Sequence, residues 1–113
     1  MTAVFALTIR QPYASQIIDG VKVAEDRDWA TSHRGLLLIH AGVVSEEPNF
    51  DGPRGVIIGS VHLVAVVDST GPSRYRWLLD DPHPLPHVRC RGLPGLWPVP
   101  PDVLAAYRGM LSD

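Results

Sequence analysis

The sequence predicts one mainly β domain of the α+β class, in which a small curved sheet closes toward a barrel between two short helices. Apolar runs rich in β-branched residues recur along the chain and are typical of strands. Helix signals occur near the ends: Pro12 suits a first helical turn, and Asp102 can cap a helix over residues 103–110. A chain of 113 residues can bury about two-thirds of its unfolded surface. We therefore expect residues 1–113 to form a single domain.

The first half of the chain predicts a strand, a helix and two further strands. Residues 4–9 are strand formers, and the helix is expected at residues 12–19 because a glycine follows as a left-handed stop. Residues 21–29 predict an irregular strand. Residues 35–41 are apolar on both faces, which indicates a strand in the middle of the sheet.

The second half predicts one long strand followed by a loop-rich region. Residues 55–68 form the longest apolar run, and Gly59 within it favours a bend. Most of the eleven prolines lie between residues 71 and 101. Because proline cannot donate to a sheet ladder, we expect only two short edge strands there, at residues 75–79 and 95–99.

Composition limits the classes of partner. The net charge is −2 and the pI is near 6.2, so the chain lacks the global basic field that drives unspecific binding to long nucleic acids. Any nucleic acid that the chain binds must therefore be bound by a local patch of the surface.

Cys90 is the single cysteine, which excludes an internal disulfide and fits a reducing cytoplasm. No window approaches a membrane span, and the apolar run within residues 1–10 is too short for a signal peptide. We expect a cytoplasmic protein without a membrane partner.

The most distinctive residue is Lys22, the only lysine beside nine arginines. A lysine can lose its proton when buried, whereas a guanidinium in a protein cannot. In a regular strand, Glu25 and Arg27 would share one face with Trp29, and Lys22 would lie on the other. Gly20 permits a bend that would bring the ammonium, the carboxylate and the guanidinium into one cleft. The alternative is a structural Glu25–Arg27 salt bridge with a solvated Lys22.

These residues belong to a pattern that resembles the ASCH domain, a PUA-like family. The resemblance rests on segments in the family's order: residues 7–14, Gly20-x-Lys22-x-x-Glu25-x-Arg27, residues 34–41, residues 55–59, and Cys90-Arg91-Gly92 with Gly95-Leu96-Trp97. It implies a PUA-like curved β-barrel over nearly the whole chain, with a cleft near the helix and the Gly20-x-Lys22-x-x-Glu25-x-Arg27 signature. It also implies an association with RNA or modified nucleosides. Some members deacylate 4-acetylcytidine, and others cleave RNA or bind nucleic acid.

The chain departs from the amidohydrolase members at two places. Those enzymes carry a hydroxyl residue within three positions of the lysine, where this chain has Val23 and Ala24. They also carry an acid on the long strand, in the region aligned with residues 60–62, where His62 is the titratable group here. A histidine could act as a general base near neutral pH. It could equally be a core histidine with both ring nitrogens satisfied.

Two further patterns contain residue types that could form chemical sites. His83, His87 and Cys90 have zinc-like spacing but lack a fourth ligand nearby. Cys90 also lies between Arg89 and Arg91, which could lower a thiol pKa, but no His-acid partner is visible. We therefore predict neither a metal nor another cofactor.

The predicted function is recognition of RNA, another single-stranded nucleic acid or a modified nucleotide in a cleft lined by lysine, glutamate and arginine. The alternative is a small hydrolase of the ASCH type that uses Lys22. The residues expected to bind the ligand are Arg10, Gln11, Tyr13, Arg27 and Trp29, and those expected to catalyse in a hydrolase are Lys22, Glu25 and His62. Tyr13 or Trp29 would supply a stacking face for a base. The missing acid near His62 favours binding.

Overall fold

Six strands and two short helices make up residues 3–111, the part of the chain described by the computed structural model. Along the chain the elements are β1 (Phe5–Gln11), α1 (Tyr13–Ile18), β2 (Ala24–Arg27), β3 (Gly35–Ser45), β4 (Val56–Asp68), β5 (Tyr75–Arg89), β6 (Leu96–Pro98) and α2 (Pro101–Ala105). None of the helices in these residues is long and apolar enough to cross a membrane.

All six strands form one sheet, in the order β2-β5-β4-β3-β1-β6. The β1–β3 pair is parallel, and α1 with β2 lies in the crossover between these two strands. The other neighbours are antiparallel. β2 and β6 are the two edges, so the sheet does not close on itself. The mainly β fold with two helices is as predicted, while the predicted barrel is only approximate.

Two apolar cores lie on opposite faces of the sheet. One contains Trp77 and the buried side of α1, and the other contains Trp97 and Tyr107. Along β3, Leu37 belongs to the first core and Leu38 to the second, because successive side chains of a strand point to opposite faces. This confirms the prediction that residues 35–41 form a strand inside the sheet.

The proline-rich region is mostly strand, so the prediction of two short edge strands in a loop is wrong for its first part. β5 runs for 15 residues between β2 and β4 and contains Pro82, Pro84 and Pro86. Prolines spaced by two turn their missing N–H groups toward the same edge of a strand. β2 covers that edge only as far as Leu78, with one more bond from Leu79 N to Val23 O. The prolines therefore fall where the ladder needs no donor.

Helix α1 and the turn after it lie where they were predicted. α1 ends at Ile18, and Gly20 follows with φ of 80°. This left-handed residue turns the chain back, so that the N–H groups of Val21 and Lys22 both donate to the Gln16 carbonyl, at 2.9 and 3.0 Å. The turn thereby fixes the backbone of the only lysine.

Helix α2 begins earlier and ends earlier than predicted. It spans Pro101–Ala105 with Pro100 at its N-cap, so Asp102 lies in the first turn and caps nothing. The residues from 106 to 110 form turns. Their hydrogen bonds run three residues back, as from Tyr107 N to Leu104 O at 3.0 Å. These tighter turns, which replace the last helical turns, still carry Tyr107 into the core.

Candidate functional site

Lys22 and Glu25 lie on the same side of the chain because Lys22 precedes the strand. β2 begins at Ala24, so strand alternation does not apply to Lys22. Its Nζ atom lies 3.7 Å from Oε1 of Glu25, and its side chain keeps 27% exposure. The ammonium is therefore half-buried and next to a carboxylate.

Arg27 holds the other oxygen of the same carboxylate. Its Nε and Nη2 donate to Oε2 of Glu25 at 3.1 and 2.8 Å, and Nη2 also donates to the Thr8 carbonyl at 2.9 Å. Glu25 is 12% exposed. One carboxylate thus bridges the ammonium and the guanidinium and is anchored through Arg27 to β1.

These three side chains line a cleft of about 500 Å³, which we call the signature cleft. Its walls are Thr8, Ile9, Arg10, Tyr13, Lys22, Glu25, Asp26, Arg27, Gly42, Val43, Val44 and Glu46. Tyr13 is 40% exposed, and the Lys22 ammonium lies 5.5 Å from the centroid of its ring. Arg10 lies at the exposed rim, paired with Glu46 at 2.8 Å. The structure brings five of the predicted site residues together: Arg10, Tyr13, Lys22, Glu25 and Arg27.

Gln11 lies outside the cleft and is completely buried. Its amide nitrogen donates to Ser15 Oγ and to the Pro53 carbonyl, and its oxygen accepts from the Ser15 N–H, at 2.8 to 3.0 Å. The side chain therefore joins β1, α1 and the loop before β4, and it does not face a ligand. The expectation that Gln11 binds the ligand is therefore corrected.

Trp29 also lies away from the cleft walls. Its ring packs edge to face against Trp77, with centroids 4.8 Å apart, and its carbonyl accepts the Trp77 indole N–H at 3.1 Å. A ring packed against the core in this way offers no free face in the cleft. Tyr13 is thus the aromatic residue that lines it.

The structure separates His62 from Lys22. Val61, which precedes His62 on β4, packs into the core beside α1, so His62 points to the other face of the sheet. There it lines a smaller cavity of about 250 Å³ with Asp81 and His83. A proton relay between Lys22 and His62 has no geometric basis in this arrangement.

A buried polar chain, which the sequence reasoning missed, lies beside the cleft. The Nε2–H group of His40 donates to the Cys90 carbonyl at 2.6 Å, so Nδ1 is free to accept from the Thr8 hydroxyl at 3.1 Å. The Trp97 indole N–H donates to the same hydroxyl at 3.2 Å. Burial lowers the pKa of His40, against the weaker effect of its bond to the Cys90 carbonyl. The ring is therefore neutral at pH 7.

Nothing in the sequence marks Thr8 and His40 as partners except that each lies in a segment of the ASCH-like pattern. They are paired in the parallel register of β1 and β3. That register depends on the crossover through α1 and could not be read from either segment alone.

The Cys90 thiol is buried, and burial and the Asp102 carboxylate raise its pKa. This is the opposite of the activation that flanking arginines could have provided. Within residues 3–111, no three His, Cys, Asp or Glu side chains gather in a way that could hold a metal ion.

Comparison with known proteins identifies relatives of this chain. A family model described as the ASCH domain matches residues 7–81. The human and mouse proteins named Activating signal cointegrator 1 are each 33% identical over 81 residues, covering 53% of this chain and 14% of theirs. The chain thus spans a small part of the length of these relatives.

Solved structures resemble the whole described fold. ASCH from Zymomonas mobilis superposes with a TM-score of 0.71 at 15% identity, covering 97% of this chain and 96% of that one. A point mutant of the same protein gives a TM-score of 0.72 at 14% identity, with 98% and 100% covered. At such identities the likeness concerns the fold.

Proposed function

Because this chain belongs to the ASCH domain family, we propose that its signature cleft recognises an unstacked nucleotide, either in single-stranded RNA or as a modified nucleotide. The observation that carries the proposal is the meeting of an exposed tyrosine ring with a lysine and an arginine that share one carboxylate. A base needs a flat apolar face and fixed polar groups at its edge, and the cleft offers both.

Tyr13 supplies the face. The residue is 40% exposed and lines the cleft wall. Stacking of a base on an aromatic side chain contributes about 1–3 kcal/mol and requires a base that is not already stacked in a duplex. The Lys22 ammonium near the ring helps to hold it in place through a cation–π contact. This favours a single strand or a free nucleotide over a double helix.

Lys22 and Arg27 supply hydrogen-bond donors in fixed positions. Glu25 holds both cations, and Arg27 is further fixed by the Thr8 carbonyl. An ammonium has three donors, so Lys22 can contact Glu25 and still reach an acceptor at the edge of a base. Donors held in this way discriminate better than mobile ones, because little side-chain entropy is lost when the ligand binds.

The charge balance of the cleft also favours a small ligand. Arg10 is paired with Glu46, and Glu25 neutralises part of the charge of Lys22 and Arg27. Asp26, another wall residue, is paired with Arg76 at 3.0 Å. Such a balanced cleft has little excess charge to attract a long polyanion. A single nucleotide or a short strand suits it better.

The test is a binding panel. Calorimetry would compare short single-stranded RNAs, a matching duplex, and nucleotides with and without base modification. We expect the single strands or nucleotides to bind better than the duplex. Replacing Tyr13 by Trp should preserve the affinity, and Tyr13→Ala should lower it about tenfold, the equivalent of roughly 1.4 kcal/mol.

A matched control is Val64→Ala, which trims another exposed apolar side chain that is not on the cleft wall. This variant should bind like the wild type. Equal affinity of the Tyr13→Ala variant and the wild type for every ligand in the panel would refute recognition through this cleft.

Hydrolysis of an acyl-cytidine amide or a phosphodiester is the second candidate, because one contact favours it. The Lys22 amine lies 3.7 Å from a carboxylate inside the cleft, and such a pair could exchange a proton with a bound water. The cleft walls contain neither His62 nor another histidine that could assist.

A further inference from the structure

A second cavity of about 540 Å³ continues the signature cleft. The two share four wall residues, Thr8, Arg27, Gly42 and Val43. The remaining walls come from His40, Gly55 and the loop between β5 and β6, including Arg91, Gly92 and Leu93. We call this second cavity the arginine compartment. A ligand seated in the signature cleft can therefore extend past Arg27 into it.

The two cavities differ in charge. The signature cleft has three carboxylates in its walls, Glu25, Asp26 and Glu46. The arginine compartment has none among the described residues that line it, and its charged groups are Arg27 and Arg91. Because His40 is neutral at pH 7, it adds no charge of its own. The compartment is thus the positive end of a longer groove.

Both guanidinium groups have N–H donors that form no hydrogen bond with the described residues. The hydrogen bonds of Arg27 use Nε and Nη2, and Nη1 has no partner within residues 3–111. Arg91 is exposed and forms no ion pair with any described residue. Guanidinium donors match the oxygens of a phosphate better than any other side chain does.

The loop that carries Arg91 is fixed against the sheet. The Cys90 N–H donates to the Gly55 carbonyl at 3.1 Å, and the Cys90 carbonyl accepts from His40. Gly92 lies so close to the sheet that a Cβ there would be 2.5 Å from the Thr8 hydroxyl and 2.9 Å from the His40 ring. The backbone on both sides of Arg91 is therefore held in place before any ligand binds.

The polar groups at the floor of the compartment are not free to bind an anion, so the two arginines must bind it. The Thr8 hydroxyl and both His40 ring nitrogens are already hydrogen-bonded. The exposed side chains of Leu93 and Val43 form apolar walls. A group that enters must therefore find its polar partners at Arg27 and Arg91.

We propose that the arginine compartment binds the phosphate of the nucleotide whose base lies on Tyr13. The inference rests on the proposed function and narrows its ligand to a phosphorylated nucleotide or a nucleotide linked within a strand, as opposed to a free nucleoside. A terminal phosphate monoester and an internal phosphodiester offer the same anionic oxygens. The experiment separates these two sources.

The probes are the four nucleosides, their 3′- and 5′-monophosphates, and dinucleotides without a terminal phosphate. We expect one monophosphate or dinucleotide series to bind at least tenfold more tightly than the nucleosides. Arg91→Ala should remove this advantage while leaving nucleoside affinity unchanged. The matched control is Arg108→Ala, an exposed arginine outside both cavities, which should behave like the wild type.

A titration with inorganic phosphate, followed by the backbone amide NMR signals of residues 90–93 and of Gly95, separates failure of the inference from failure of the proposed function. Phosphate should shift these signals in the wild type and in Tyr13→Ala, but not in Arg91→Ala. Loop shifts without any nucleoside or nucleotide binding would refute base recognition and retain the anion site. Equal affinity for nucleosides and monophosphates, or an Arg91→Ala effect that is the same for both, would overturn the inference.

Discussion

Lys22 and Glu25 meet at 3.7 Å although their spacing would place them on opposite faces of a strand. The turn after Gly20 sets Lys22 ahead of β2, and Arg27 holds the far oxygen of the carboxylate at 2.8 Å. Lys22 therefore joins the Glu25–Arg27 salt bridge, in contrast to the alternative of an independent pair with a solvated lysine. A change at Lys22 is consequently felt by Glu25 and Arg27.

Substitution of Lys22 distinguishes recognition from hydrolysis. If the cleft only binds, Lys22→Arg retains the positive charge and should weaken nucleotide affinity less than Lys22→Ala. If an amine must lose its proton during catalysis, a guanidinium cannot replace it, and both variants should be equally inactive. Calorimetry measures the binding, and mass spectrometry of 4-acetylcytidine and RNA measures turnover.

The decisive result is a combination of the two measurements. Turnover by the wild type that Lys22→Arg abolishes, while the ligand still binds, would contradict a purely binding role. Absence of turnover together with a graded affinity, highest in the wild type and lowest in Lys22→Ala, would support it. Arg108→Ala serves as the control for a general effect of charge.

Gln11 is predicted to stabilise the fold. Gln11→Ala removes three hydrogen bonds and leaves the Pro53 carbonyl and the Ser15 N–H without their partner. Because unsatisfied buried polar groups are costly, we expect a loss of about 2–4 kcal/mol in the free energy of unfolding. Urea titration measures it. Gln16→Ala, on helix α1 and partly exposed, should cost much less; similar losses for both would contradict the role assigned to Gln11.

The sequence could predict features that depend on local pattern. The strand at residues 35–41, the helix near residues 12–19 and the turn at Gly20 follow from periodicity and from the conformations available to glycine and proline. Residues 7–14 and the signature also pointed to the region of the cleft. Each of these depends on residues close together in the chain.

The incorrect expectations depended on partners far away in the chain. The Gln11 side chain donates a hydrogen bond to the Pro53 carbonyl, 42 positions later. The Trp29 carbonyl accepts one from the Trp77 indole, 48 positions later. His62 faces away from Lys22 because Val61 is required in the core beside α1. Whether a polar or aromatic side chain is available to a ligand is decided by such tertiary contacts, which composition and spacing do not reveal.

Acid should destabilise the protein through His40. Burial lowers its pKa below the ordinary value of 6.5. As the pH falls through 6.5, this histidine is therefore protonated in the unfolded chain before it is protonated in the folded chain. Stability is therefore retained above the ordinary pKa and decreases as the pH falls toward the folded pKa. Urea unfolding at pH 7.5 and pH 5.5 (roughly one unit on either side of the ordinary histidine pKa) should show this loss.

The controls for this effect are two histidine substitutions. His40→Gln should lower stability at both pH values but flatten the difference between them. His87→Gln changes an exposed histidine and should retain the pH dependence of the wild type. An unchanged pH dependence in His40→Gln would show that another group is responsible.

Tyr107 should govern stability at alkaline pH. Its hydroxyl donates to the Pro86 carbonyl at 2.8 Å in the second core, and burial, with a smaller effect from Cys90, raises its pKa from 10.0 to about 12. As the pH rises from 10 to 12, the unfolded chain loses this proton while the folded chain keeps it, so stability present below pH 10 is progressively lost.

Tyr107→Phe should be about 1 kcal/mol less stable at pH 7 because it lacks the hydrogen bond, but it should lose less stability between pH 10 and pH 12 than the wild type. Tyr13→Phe changes an exposed tyrosine and should follow the wild type. If chemical denaturation gave the same alkaline profile for Tyr107→Phe and the wild type, the buried phenol would not be the group that titrates.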